Sequence, residues 1–151
     1  MMPHIIKSLR QISSNYSILF CDVWGCIHNG ISAFAKATSA LNEFKKDGGT
    51  VVLLTNAPRP ADAVHRQLNR LGVDNDCYDL IVTAGDAALE FVAKNNIGQN
   101  IYHLGPEKDK SFFNTLFSFT GNIKFTLSDF EKADVIICTG LFDDSTETPD
   151  D

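Results

Sequence analysis

The 151-residue chain contains no apolar run approaching the ~20 residues that a membrane-spanning helix requires. It has no apolar h-region ahead of a small-residue cleavage site, so no secretory signal is expected. Positive charge is scarce: 13 Lys and Arg stand against 19 Asp and Glu, a net charge of −6. A general nucleic-acid surface, which would be basic, is excluded on that ground. The four cysteines (Cys21, Cys26, Cys77 and Cys138) form no Cys-x-x-Cys pair, and the four histidines (His4, His28, His65 and His103) show no metal-ligand spacing. The expectation is buried, reduced thiols in a cytoplasmic protein. Among the histidines only His28, in the loop after Asp22, has a place near a substrate, and a solvated loop residue is the better reading. The sequence shows no internal repeat.

What is present is a soluble, globular composition, with 44% hydrophobic and 21% charged residues in a chain long enough to bury a real core. The stretch Ile18 to Gly30 organises the rest. Ile18 to Cys21 form a short apolar run, expected as a strand buried on both faces, and Asp22 closes it. An acidic residue at the carboxyl end of a parallel strand sits where α/β sheets bind their ligands. Gly25 and Gly30 make a loop of the segment after Asp22.

Beyond that loop, Phe34, Ala37, Leu41 and Phe44 recur at helical spacing, with Lys45 and Lys46 in the last turn and Gly48 just past it. Thr50 to Leu54 is a β-branched strand; Ala61, Val64, Leu68 and Leu71 mark a second helix ended by Gly72. Leu80 to Thr83 and then 86–94 repeat the strand and helix. Such alternation implies parallel strands joined by right-handed crossovers. Ile101 to Leu104 opens another cycle, whose helix carries Phe112, Phe113, Leu116 and Phe117 at core spacing. Ile123 to Thr126 and Val135 to Cys138 are expected as further strands. Residues 1–17 carry Lys7, Arg10, several serines and no acid, a composition shared with transit peptides. The better reading is a short amphipathic helix on Ile5, Leu9 and Ile12. The acidic tail from Asp143 has no apolar periodicity and is expected to be solvated.

Asp22-Val23-Trp24-Gly25 resembles the first motif of the haloacid dehalogenase superfamily, a strand ending in Asp-x-Asp-Gly, with Trp24 in place of the second Asp. Val51 to Asn56 resembles the second motif, a strand ending in Thr or Ser. Thr83-Ala84 is similar to a segment of the NagD-like and pyridoxal-phosphate-phosphatase-like members, whose large cap comes after the second motif. Ile101 to Gly105 and Ala133 to Ile137 resemble strands of that cap. Asp-Val-Trp-Gly itself is similar to the first motif of one subgroup. The resemblance implies an α/β fold, with a partial Rossmann-like core over residues 1–97 and the beginning of a cap over residues 98–151.

It also implies a chemistry. The Asp22 carboxylate would attack phosphorus and become an aspartyl phosphate that water hydrolyses. Mg²⁺ would bind Asp22 and the main-chain carbonyl of Trp24. Thr55 and the amides of Asn56 and Ala57 would hold phosphate oxygens. The implied partner is a small phosphorylated substrate, with no nucleic acid or membrane, and a homo-oligomer is left open. An indole cannot protonate a leaving group or activate water, as the family's second Asp does. Nothing after Ile137 supplies the family's third-motif Lys or fourth-motif acids, so the expectation is the amino-terminal half of a longer hydrolase, inactive alone. The alternative is a non-catalytic phosphate-binding or phospho-acceptor module, as in response-regulator receivers; those, however, keep an acidic pair that Asp22 lacks.

Overall fold

The computed structural model describes residues 5–95, 97–119, 125–143 and 145–148. The chain divides into two compact units, Met1–Thr55 with Ala61–Val82, and Asn56–Pro60 with Thr83–Asp151.

The first unit is built on a three-stranded sheet of β1 (Ile18–Asp22), β2 (Thr50–Thr55) and β3 (Leu80–Thr83), in the order β1-β2-β3. β1 and β2 are parallel, with Ile18 opposite Thr50 and Asp22 opposite Leu54. The crossovers carry helices α1 (Ala35–Lys46) and α2 (Ala61–Arg70). Their apolar residues Leu41, Phe44, Val64 and Leu68 are buried, as are Val51 and Leu53 of β2. Full burial of such a side chain contributes about 1.5–3 kcal/mol. At the end of α1, Lys45 Nζ lies 2.9 Å from Asp79 Oδ1 and donates to the Tyr78 carbonyl at 2.8 Å. Asp79 in turn exchanges two bonds with Val51: its Oδ2 accepts from Val51 N–H, and its own N–H donates to the Val51 carbonyl, both at 2.8 Å.

The second unit carries α3 (Ala84–Lys94), α4 (Ser111–Phe119) and a second sheet. In this sheet β5 (Thr126–Leu127) and β6 (Val135–Cys138) flank β4 (Asn100–Leu104), both parallel to it. Leu89, Val92, Ile101, Phe112, Phe113, Leu116 and Phe125 form its core. The Phe112 and Phe113 rings meet edge to face, 5.2 Å apart. The phenylalanine cluster is therefore core, as its spacing implies; the Phe117 side chain lies outside the described residues. Thr83 caps α3: its hydroxyl accepts from Asp86 N–H and donates to Asp86 Oδ2, both at 2.9 Å. The α/β architecture with parallel sheets is the one expected.

Several expectations are corrected. The amino-terminal segment forms two short 3₁₀ turns, Leu9–Gln11 and Ser13–Asn15, in place of an amphipathic helix. β1 is not buried on both faces: Ile18 and Phe20, which share a face, are 51% and 66% exposed, and β1 is also an edge strand among the described residues. Of the four thiols, all free, only Cys77 is buried; Cys26 and Cys138 are exposed. The strand expected at Ile123 is described as Thr126–Leu127, with 120–124 outside the described residues. Of the acidic tail, Asp143 and Ser145 are exposed in a turn closed by hydrogen bonds to the Asp143 and Glu147 carboxylates.

Candidate active site

Asp22 ends β1, and its register partner Leu54 immediately precedes Thr55 at the end of β2. Parallel pairing therefore brings the carboxylate and the hydroxyl to the same end of neighbouring strands, the end at which α/β sheets hold ligands. Asp22 is exposed, and its Oδ1 accepts from Val23 N–H at 2.8 Å. Cys21, beside it, donates its thiol to the Asp22 carbonyl at 3.2 Å. Burial, with smaller contributions from the nearby Cys26, Asp22 and Cys77, pushes that thiol up to about 11, so it is protonated and not a competing nucleophile.

The loop after Asp22 is tightly bonded. Ile27 N–H donates to the Val23 carbonyl at 2.9 Å, Gly25 N–H to the His28 carbonyl at 2.8 Å and Phe34 N–H to the Ile27 carbonyl at 2.7 Å. None of these bonds uses the Trp24 carbonyl. Asn29 Oδ1 accepts from both Ile31 and Ser32 N–H at 2.9 Å. Ile27 is fully buried beneath the loop, whereas the Trp24 indole is 68% exposed. Gly30 adopts φ +87°, which favours glycine, and a Cβ there would stand 3.8 Å from Trp24 Nε1.

His28 departs from expectation. It is 2% exposed, and its Nδ1 accepts from Gly30 N–H at 2.9 Å. Burial holds the imidazole below its ordinary range, so it is neutral with its proton on Nε2. The sequence carried one local signal, a histidine two residues before a glycine, which can close such a turn. That signal does not distinguish a buried ring from a solvated one.

Of the sequence-derived site residues, Asp22, Trp24 and Thr55 fall in the first compact unit, and Asn56 and Ala57 in the second. The Ala57 carbonyl accepts from Gly85 N–H at 3.1 Å, and a Cβ at Gly85 would lie 2.6 Å from the Pro58 carbonyl oxygen, so only glycine permits this approach. Asn56 is exposed and lines a cavity of about 400 Å³ with Ala84, Gly85, Phe112 and Thr139. For a metal, Asp22 and the Trp24 carbonyl offer hard oxygen donors of the kind Mg²⁺ takes. Among the described residues there is no group of three or more His, Cys, Asp or Glu side chains able to hold one. No helix among those residues is long and apolar enough to cross a membrane.

A parallel α/β sheet with Asp and Thr at adjacent strand ends is the arrangement of a haloacid dehalogenase-like core. The family model for haloacid dehalogenase-like hydrolases matches residues 19–116, and the chain belongs to that family. It is similar to the crystal structure of a haloacid dehalogenase-like family hydrolase from Brucella suis 1330, with 35% identity and a TM-score of 0.85 over 97% of this chain and 53% of that one. Two further likenesses show the fold alone. NagD from E. coli K-12 is 24% identical with a TM-score of 0.57, over 81% of this chain and 45% of that one. A glycerol phosphate phosphatase from Mycobacterium tuberculosis, solved in complex with magnesium, is 21% identical with a TM-score of 0.62, over 93% and 40%. The chain thus spans about half the length of the structures it matches. No curated protein sequence matches it.

Proposed function

We propose that the chain supplies the nucleophile-bearing part of a phosphatase acting on a small phosphorylated metabolite, in a capped member of the family with the Asp-Val-Trp-Gly first motif. The observation that carries this reading is the placement of Asp22 and Thr55 at the ends of adjacent parallel strands. Asp22 Oδ1 is engaged by Val23 N–H, which orients the carboxylate and leaves Oδ2 to attack phosphorus. Thr55 and the amides just after it in the chain, of Asn56 and Ala57, are donors suited to phosphate oxygens. Asp22 and the Trp24 carbonyl would hold Mg²⁺, which supplies charge neutralisation between the two anions. The family match and the 35% identical hydrolase support hydrolase chemistry, and the free cysteines support a cytoplasmic setting.

A second reading is a phospho-acceptor module, and Trp24 favours it. With no acid at that position to activate water, an aspartyl phosphate at Asp22 would persist. One experiment separates the two. The product of the longest natural reading frame that carries these 151 residues is assayed with Mg²⁺ on small phosphate monoesters and on acetyl phosphate. Phosphate release from a monoester, lost in Asp22→Asn, is the expected result. A stable adduct on Asp22 without release supports the acceptor reading. Release unaffected by Asp22→Asn overturns both.

A further inference from the structure

We propose that His28 is the positioning residue of the motif loop: its Nδ1, by accepting the Gly30 amide, fixes the main chain and indole of Trp24 beside Asp22. The significance of Trp24 rests on the proposed hydrolase reading, whereas the geometry does not. His28 is placed at the centre of the loop's bonding. Its carbonyl accepts from Gly25, the residue after Trp24, and its backbone bridges Trp24 on one side and Ala33 on the other. Its ring reaches forward to Gly30, where a Cβ would stand 3.8 Å from Trp24 Nε1. One buried residue, through its main chain and its ring, therefore ties together both ends of the segment that carries the exposed indole.

The chemistry needed is specific: a buried acceptor attached directly to Cγ. Leucine fills the volume but offers no acceptor, and would leave the Gly30 N–H without its partner. Asparagine places Oδ1 where histidine places Nδ1, and an Asn side chain commonly accepts from the amide two residues on. His28 thus has a conservative variant that keeps the bond and a near-isosteric one that removes it. With Nδ1 committed to Gly30, that nitrogen holds the loop and the ring proton sits on Nε2.

The test uses the whole chain and its single tryptophan. Gly30 amide exchange is measured by NMR, and the local motion of Trp24 by time-resolved fluorescence anisotropy, in wild type, His28→Leu and His28→Asn. Protection of Val51 and Leu53 amides reports whether β2 stays folded. The expected result for His28→Leu is Gly30 exchange faster by about tenfold or more, with a larger fast component for Trp24 and β2 protection unchanged. His28→Asn restores both. Where the longer gene product is active, kcat changes in the same order and KM does not.

Unchanged Gly30 exchange and Trp24 motion in a folded His28→Leu overturn the proposal, as does failure of His28→Asn to restore them. Should His28→Leu not fold, the wild-type ring nitrogens decide the matter. The expected tautomer carries its proton on Nε2, with a coupling across the hydrogen bond between His28 Nδ1 and the Gly30 amide. A proton on Nδ1 overturns the assignment. Loss of phosphatase activity in all forms, with these geometric results intact, would remove the hydrolase reading and leave the positioning role standing.

Discussion

Phe20 and Val52 are register partners in neighbouring parallel strands, yet Phe20 is 66% exposed and Val52 only 7%. Partners in a parallel pair share a face of the sheet, so the difference measures where the cover stops. Ile18, Leu54, Leu80 and Val82 are also exposed, and β1 is one of the sheet's two outer strands among the described residues. An apolar strand with an open edge is a template for pairing with another chain.

The 151-residue chain is therefore expected to associate or to be poorly soluble. Phe20→Lys, which places a charge on the open strand, should raise the monomer fraction. Light scattering coupled to size exclusion is the measurement. A monodisperse wild-type monomer with a cooperative thermal transition would contradict the expectation.

The isolated 151-residue chain is expected to release no phosphate from p-nitrophenyl phosphate and to bind Mg²⁺ weakly. Asp22 and a single carbonyl are few protein ligands, and no cluster of three His, Cys, Asp or Glu side chains is found among the described residues. Metal-dependent release that Asp22→Asn abolishes would show that the remaining groups come from elsewhere, with a second copy of the chain the first source to test.

Much of this arrangement was legible in the sequence, because strand and helix alternate with few exceptions to their periodicities. Val51 to Leu53 are β-branched or leucine and buried where expected; Val64 and Leu68 fall on one helical face, and so do Phe112, Phe113 and Leu116. Asp22 and Thr55 could be placed at strand ends because the apolar runs stop there. What was not legible depends on partners distant in the chain. β1 reads as doubly buried because its composition is apolar, but exposure is decided by what packs on each face of the sheet. Ile5, Leu9 and Ile12 have helical spacing, yet local side-chain bonds compete: Gln11 Oε1 accepts from Lys7 N–H at 2.7 Å, and Ser13 Oγ donates to the Arg10 carbonyl at 3.4 Å. The chain takes short turns there. His28 was misplaced for a similar reason, since nothing local shows that Ile27 and His28 turn inward together.

Acid should weaken the first unit through Asp79. The Val51 amide, and then Lys45, hold its carboxyl below the usual carboxylate range. A depressed folded-state value means stability that is fully present above the unfolded value of about 4 and lost as pH falls through the folded value. The stability gap between wild type and Asp79→Asn, read from urea midpoints, should be largest near neutrality and shrink below pH ~4. A gap independent of pH would show that the carboxylate's charge does not contribute.

Trp24 should leave its mark on how rate depends on the leaving group. Its side chain is largely exposed in the loop after Asp22, where the family places a proton-transferring acid. The neighbouring His28 imidazole is buried and accepts from Gly30 N–H through Nδ1. In a catalytically competent form, departure of the leaving group would then proceed without proton donation. Aryl and acyl phosphates should react much faster than alkyl phosphates, with a steep dependence on leaving-group pKa. Trp24→Asp should flatten that dependence and raise alkyl phosphate turnover toward the lower end of the ~10²–10⁴ range typical of general acid–base catalysis. Replacing the large ring by a small charged side chain also changes the loop, and a loosened loop would mask the gain from the variant alone. The wild-type rate across a leaving-group series is free of that complication. A flat series would mean that a proton donor is already in place, with His28 the first candidate to mutate.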